Sequence, residues 1–234
     1  MESDILAENL RIGYSSNLIL AKIDKLKIKR GEIVSIVGES GIGKTTFLKT
    51  IARLIKPIEG RVRILGNYDE IERGRLGYIP QKLGLIKHES VFSNVLEGAI
   101  CNQTVLKSII GLHEKEVIDS VDKAIALMEL SDKKDEPVKE LSGGQQRRVA
   151  IARTIAQNPK IILADEFLSE LDDKTLESVW NVMLEFVNSK AITLIMVEHN
   201  IERAKLADRV FKMEIDDELS ISFNTAVSVL KEVK

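Results

Sequence analysis

The apolar run Ile33–Val37 passes directly into the loop Gly38-Glu39-Ser40-Gly41-Ile42-Gly43-Lys44-Thr45, and Thr46 opens an amphipathic stretch behind it. Three glycines between a strand and a helix cost backbone entropy, and folding alone gives no reason for them. The pattern G-x-x-x-x-G-K-[ST] in this strand-to-helix setting supplies the reason. Glycines let successive backbone N–H groups turn toward an anion with no Cβ in the way. The helix that follows adds unpaired N–H groups and the positive end of its dipole. Lys44 can reach the β- and γ-phosphates of a nucleotide, and the Thr45 hydroxyl can ligate Mg²⁺. Gly38 through Thr46 is therefore a candidate phosphate cradle.

The neighbouring pattern places that loop in an α/β fold. Residues 4–30 alternate apolar and polar, which predicts two antiparallel strands with a turn near Gly13–Asn17. Residues 33–37 are apolar throughout, as in a parallel strand covered on both faces. The helix after the loop is predicted to carry Phe47, Leu48, Ile51, Leu54 and Ile55 on one face, with Pro57 beyond its end. Two further strands are expected around Glu59–Gly66 and Gly74–Gln81. The pattern then turns helical from about Val91 to Leu130, with Val117, Val121, Ile125 and Met128 on one stripe. Short buried strands return at Ile161–Asp165 and Ala191–His199. Between them lies a helix holding Leu176, Val179, Val182 and Met183. The stretch after Met213 reads as one strand plus one helix.

Two more stretches carry chemistry. In Lys160–Asp172 an apolar strand ends in Asp165 and Glu166. Asp165 at a strand's C-terminal edge can hold the Mg²⁺ shell, and Glu166 can orient and polarise an attacking water. In Leu141–Arg153, Ser142 stands at a helix N-cap position, followed by Gly143, Gly144 and Gln145. This second helix N-terminus is stripped for close approach to an anion.

Together these residues resemble the ATPase subunits of ATP-binding cassette (ABC) transporters. The phosphate loop, the Leu-Ser-Gly-Gly-Gln signature and the Ile-Leu-Ala-Asp-Glu strand follow that family's order over nearly the whole chain. The resemblance implies a P-loop NTPase core with an N-terminal antiparallel β lobe and an inserted helical lobe. It implies one domain over 1–234, with 1–84 and 151–234 as core and β lobe and about 85–150 as the helical lobe. It assigns Gln81 to linking the metal and attacking water to the helical lobe, and His199 to the switch near the γ-phosphate. Asp172 matches the aspartate of the interface loop, and Tyr14 stands where an aromatic ring stacks on adenine. From the residues alone, Gln81 also reads as a strand-end polar group and His199 as a cap. Asp172 also reads as a helix N-cap, and Tyr14 as a turn aromatic packing on the sheet. Phe167, Glu170 and Glu198 depart from the family's usual proline, small residue and threonine.

The resemblance also sets expectations for cofactors and partners. ATP and Mg²⁺ would bind between Gly38–Thr46 of one subunit and Ser142–Gln145 of a second ATPase subunit, most simply an identical one. Integral membrane permease subunits would dock around Gln81–Val91, joined by a solute-binding protein where the system imports. The segment from Ser90 to Leu112 loosely resembles phosphonate-type importer subunits. The alternatives are a regulatory nucleotide-binding module with little turnover, and an ABC ATPase not linked to transport.

Composition narrows the partners. The formal net charge is -2, which gives no basic field for nucleic acid or an anionic surface. Cys101 is the single cysteine, so an intrachain disulfide is excluded. The first residues lack the basic and apolar regions of a signal peptide, and no apolar run approaches the ~20 residues of a membrane-spanning helix. The expected location is cytoplasmic, peripheral on the inner face of the cell membrane.

Overall fold

The computed structural model describes residues 3–15, 18–101, 115–169, 171–217 and 228–233. Glu170, part of the expected turn at 16–17, most of the importer-like stretch after Cys101 and the helix expected after Met213 lie outside them. The chain divides into two compact units: Met1–Ile71 with Leu163–Glu166 and Ala191–Lys234, and Glu72–Ile162 with Phe167–Lys190.

The first unit is built on a mixed sheet. Strands β1 (Ser3–Ser15) and β2 (Leu18–Lys29) pair antiparallel, and β4 (Glu59–Ile64) adds antiparallel to β1. Alternation buries Ile5 and Ala7 and then, past Asn9 at a left-handed φ of 49°, Leu10 and Ile12; in β2 the buried positions likewise change parity, from Ile19, Ala21 and Ile23 to Leu26 and Ile28. Strands β3 (Ile33–Val37) and β7 (Thr193–Val197) pair parallel and are buried along their whole length. β-branched side chains covered on both faces explain the lack of alternation. Strand β8 (Arg209–Ile215) lies parallel to β3, and β9 (Ser228–Glu232) runs between β8 and β2. The order in this unit is β4-β1-β2-β9-β8-β3-β7, followed by the end of β6 (Ile161–Asp165).

Helix α1 (Lys44–Ile51) buries Phe47, Leu48 and Ile51 as the periodicity requires, but it stops one turn short of the expected end. Arg53 takes a left-handed φ of 59°, a conformation that ends helices. Its guanidinium donates to the carbonyls of Asn67 and Tyr68, which draws the chain toward the turn after β4. Leu54 is consequently 63% exposed and leaves the helical face predicted for it.

Arg209 fastens β9 at its far end. Its Nε and Nη2 donate to the two carboxylate oxygens of Glu232 at 2.6 and 2.7 Å, and its Nη1 donates to Lys27 O and Glu32 Oε1. The guanidinium holds the Glu232 carboxyl below its ordinary range. A carboxylate whose folded pKa is depressed stabilises the fold above its unfolded pKa and loses that contribution as pH falls through the folded value. Glu232→Gln should therefore lower thermal stability near neutrality by at most about 1 kcal/mol, as befits an exposed pair. The difference from the parent should shrink as pH falls, which parallel melts at pH 7 and in acid would show.

The second unit is mainly helical and includes β5 (Leu76–Ile79). Helix α2 (Val91–Ile100) is capped by Ser90, whose Oγ accepts the Ser93 N–H at 3.0 Å. Helix α3 (Lys115–Leu127) buries Val121, Ala124 and Ile125, and Met128 follows them into the interior. Helices α4 (Gly143–Gln157) and α5 (Asp173–Lys190) complete the unit. Helix α2 crosses α4 at Gly98, where a Cβ would stand 2.0 Å from the Arg153 carbonyl oxygen, so only glycine permits this approach. The segment before α2 is pinned from both helices. Buried Asn94 accepts the Ile86 N–H and donates to Ile86 O and Ser90 O. Arg153 donates to the carbonyls of Leu83 and Gly84 at 2.7 Å.

Candidate nucleotide site

In the first unit the loop after β3 curls around its own lysine. Lys44 is 5% exposed, and its Nζ donates to the carbonyls of Gly38 and Glu39 at 2.6 and 2.7 Å. Burial lowers the Lys44 pKa, and the negative charges of Glu166 and Asp165 oppose that. Gly43 is the N-cap of α1 with a φ of 110°, and no side chain caps the helix or places an acid in its first turn. The N-terminal N–H groups of α1 thus lack a side-chain acceptor, as an anion site requires. Gly38 is needed for closeness: a Cβ there would lie 2.8 Å from Met213 O.

Beside the loop, Asp165 ends β6 with no exposed surface. Among the described residues, neither of its carboxylate oxygens finds a well-formed hydrogen bond. Burial raises its pKa; the Thr45 hydroxyl and the charges of Lys49 and Lys44 pull the other way, while Glu166 adds to the rise. The Thr45 contact registers in that balance but falls short of good hydrogen-bond geometry, so the carboxylate counts as underserved. Glu166 follows at a left-handed φ of 54°, which turns its side chain out of the strand's alternation. Its backbone N–H donates to Val197 O at 3.0 Å, and its Oε1 accepts from His199 Nε2 at 2.6 Å. A carboxylate oxygen can only accept, so Nε2 is the donor in this contact. Glu198, just before it, is 2% exposed and its N–H bonds Ile36 O, so the departure from threonine faces inward. Tyr14, at the end of β1, is 70% exposed.

The second unit holds the other expected groups. Ser142 caps α4 in a reciprocal box: its Oγ accepts the Gln145 N–H at 3.3 Å, and its own N–H donates to Gln145 Oε1 at 2.9 Å. Gly143 and Gly144 form the first turn between them. Asp172 caps α5, accepting the Thr175 N–H at 3.0 Å, and this bond lowers its pKa. Gln81 lies exposed, two residues past β5. Phe167 is fully buried and packs at a tilt on Trp180, ring centres 6.5 Å apart. The departure from proline therefore serves packing.

The ABC transporter family model matches residues 21–169. The chain belongs to the ABC transporter family. This ABC ATPase is 38% identical over 215 residues to the phosphonates import ATP-binding protein PhnC 2 of Halalkalibacterium halodurans, covering 87% of each chain. It is 36% identical over 213 residues to the lipoprotein-releasing system ATP-binding protein LolD of Rickettsia bellii, covering 89% of this chain and 92% of that one. Among solved structures, the ATP-binding cassette MJ0796, a dimer in a post-hydrolysis state bound to ADP and Pi, superposes with a TM-score of 0.78 at 30% identity. That match covers 89% of this chain and 93% of the other. This ABC ATPase is the nucleotide-binding part of a transporter, and its activity is ATP hydrolysis.

Sequence reasoning missed two features of the site. The reciprocal box was readable, because Ser142 and Gln145 stand at the S-x-x-Q spacing. The seat of the loop on β8 and β9 carried no local signal, since Met213 and Ser228 are far from it in sequence.

Proposed function

We propose that ATP with Mg²⁺ binds between the phosphate loop of one copy of this chain and the Ser142–Gln145 turn of another, and that hydrolysis reopens the pair. The observation that carries this reading is the uncapped start of α1, closed around buried Lys44 beside the underserved carboxylate of Asp165. Hard oxygen donors suit Mg²⁺, which takes one or two protein ligands and completes its shell with phosphate and water. Thr45 and Asp165 would hold it, with Gln81 added on the resemblance. Bound there, the metal neutralises phosphate charge.

The chain's own groups do the rest. Lys44 and the loop N–H groups, Gly38 through Thr46, orient the triphosphate. Glu166 accepts a proton from the attacking water, and His199 aims that carboxylate through the 2.6 Å contact. Ser142 accepts from Gln145 N–H, which leaves its hydroxyl hydrogen to donate to the γ-phosphate of the opposing nucleotide. Gly143, Gly144 and Gln145 offer backbone N–H groups to that phosphate, Asp172 lies in the same interface, and Tyr14 offers its exposed ring to adenine. ATP thus favours the closed pair and ADP the open one.

The closed pair would drive permease subunits from the cytoplasmic face of the membrane, with a solute-binding protein where the system imports. No helix among the described residues is long and apolar enough to cross a membrane. A phosphonate importer and a lipoprotein-releasing system match at nearly equal identity, so identity assigns the ATPase and not the cargo. The docking surface is the segment Gln81–Val91 with exposed Ile86. Ile86→Glu keeps the backbone bonds to Asn94 and should abolish stimulation of ATPase activity by the reconstituted permease, with ATP affinity unchanged. Stimulation equal to that of the parent would remove this surface from the account.

A further inference from the structure

We propose that Ser228 is a positioning residue for the phosphate loop, acting through the Ile42 carbonyl without touching nucleotide. Ser228 is the first residue of β9 and is 1% exposed. It stands opposite Ala21 of β2 on one side and Ile215 of β8 on the other. Its Oγ lies 2.9 Å from Ile42 O and 3.0 Å from Leu20 O. A hydroxyl has a single hydrogen to donate, so the two carbonyls share it. In either arrangement the oxygen bridges the loop to the strand beneath it.

The geometry gives that bridge a consequence at the phosphate site. The Ile42–Gly43 peptide is trans, so its C=O and N–H point in opposite directions. Holding the Ile42 oxygen toward β9 turns the Gly43 N–H away from the sheet. Gly43 is the uncapped start of α1, where that N–H is one of the donors offered to phosphate. Glycine at a φ of 110° has little preference of its own for this orientation. The constraint comes from outside the loop. The floor around it is set by the same strands: Leu20 Cβ and Met213 Cε lie 3.4 and 3.6 Å from the place a Gly43 Cβ would occupy. At its other end, away from the loop, β9 is held by a separate contact between Arg209 and Glu232.

The proposal rests on Gly38–Thr46 being the phosphate loop, and its test separates the two ideas. Affinity for Mg²⁺-ATP, steady-state kinetics, melting temperature and hydrogen exchange at the Gly43 amide are measured on the full chain. The variants are Ser228→Ala, Ser228→Cys and Glu232→Gln. Ser228→Ala should weaken ATP binding roughly 3- to 10-fold, the effect of losing one neutral hydrogen bond. It should raise KM with kcat unchanged and speed exchange at Gly43. Glu232→Gln loosens the same strand away from the loop and should leave affinity and Gly43 exchange as in the parent. Should Ser228→Ala fail to fold, the near-isosteric cysteine, a weak donor, should show the same loss in smaller measure. Parent-like affinity in both serine variants, or an equal loss in Glu232→Gln, would overturn the brace. Absence of ATP binding by the parent chain would instead overturn the loop itself.

Discussion

Glu166→Gln is expected to cut ATP turnover by roughly 100-fold or more, the usual worth of a general base, while ATP binding is retained. The amide keeps the shape of the carboxylate and can still meet His199 Nε2, so the loop and Lys44 stay in place. What it loses is the capacity to take a proton from water. Because ATP then persists, the closed pair should accumulate. Single-turnover hydrolysis and equilibrium binding on the same preparation separate these effects. Turnover within a few-fold of the parent would show that another group takes the proton.

Lys44→Ala is expected to act at an earlier step. Its ammonium is nearly buried and is the cation that closes the loop on itself through the Gly38 and Glu39 carbonyls. Removing a buried, hydrogen-bonded partner of a charged ligand costs at least about 2 kcal/mol, and often more. ATP affinity should therefore fall by roughly 30-fold or more. The loss exceeds that expected for Ser228→Ala, because a charge facing phosphate is removed instead of a neutral brace. Calorimetric titration with Mg²⁺-ATP would show it, and near-parental affinity would remove Lys44 from the phosphate site.

Much of this architecture was legible in the sequence because local chemistry fixes it. The β3 run, the glycines after it and the Phe47–Leu48–Ile51 face each report one element, and the elements follow in contiguous order. Ser142 and Gln145 declare a cap by spacing alone. Asp172 reads equally as a cap and as an interface residue, and its bond to the Thr175 N–H shows that it does cap α5. What was illegible depends on partners distant in the chain. The early end of α1 depends on Arg53 reaching the carbonyls after β4. The inward turn of Phe167 depends on Trp180. The contact of His199 with Glu166 depends on β6 and β7 bringing two strand ends together. The role of β9 at the loop depends on a serine some 186 residues from Ile42.

In the proposed pair each nucleotide is held by two copies, one lending Lys44 and the other Ser142. A complementation experiment tests it most directly. Lys44→Ala and Ser142→Arg chains, each also carrying Glu166→Gln, are assayed for ATP-dependent dimers alone and mixed. Each variant alone should stay monomeric, since every site in its homodimer is broken. In the mixture one site pairs an intact loop with an intact Ser142 turn, so mixed dimers with one trapped ATP should appear. A mixture that behaves as the sum of its inactive parts, with ATP bound by Ser142→Arg monomers as tightly as by the parent, would contradict the shared site.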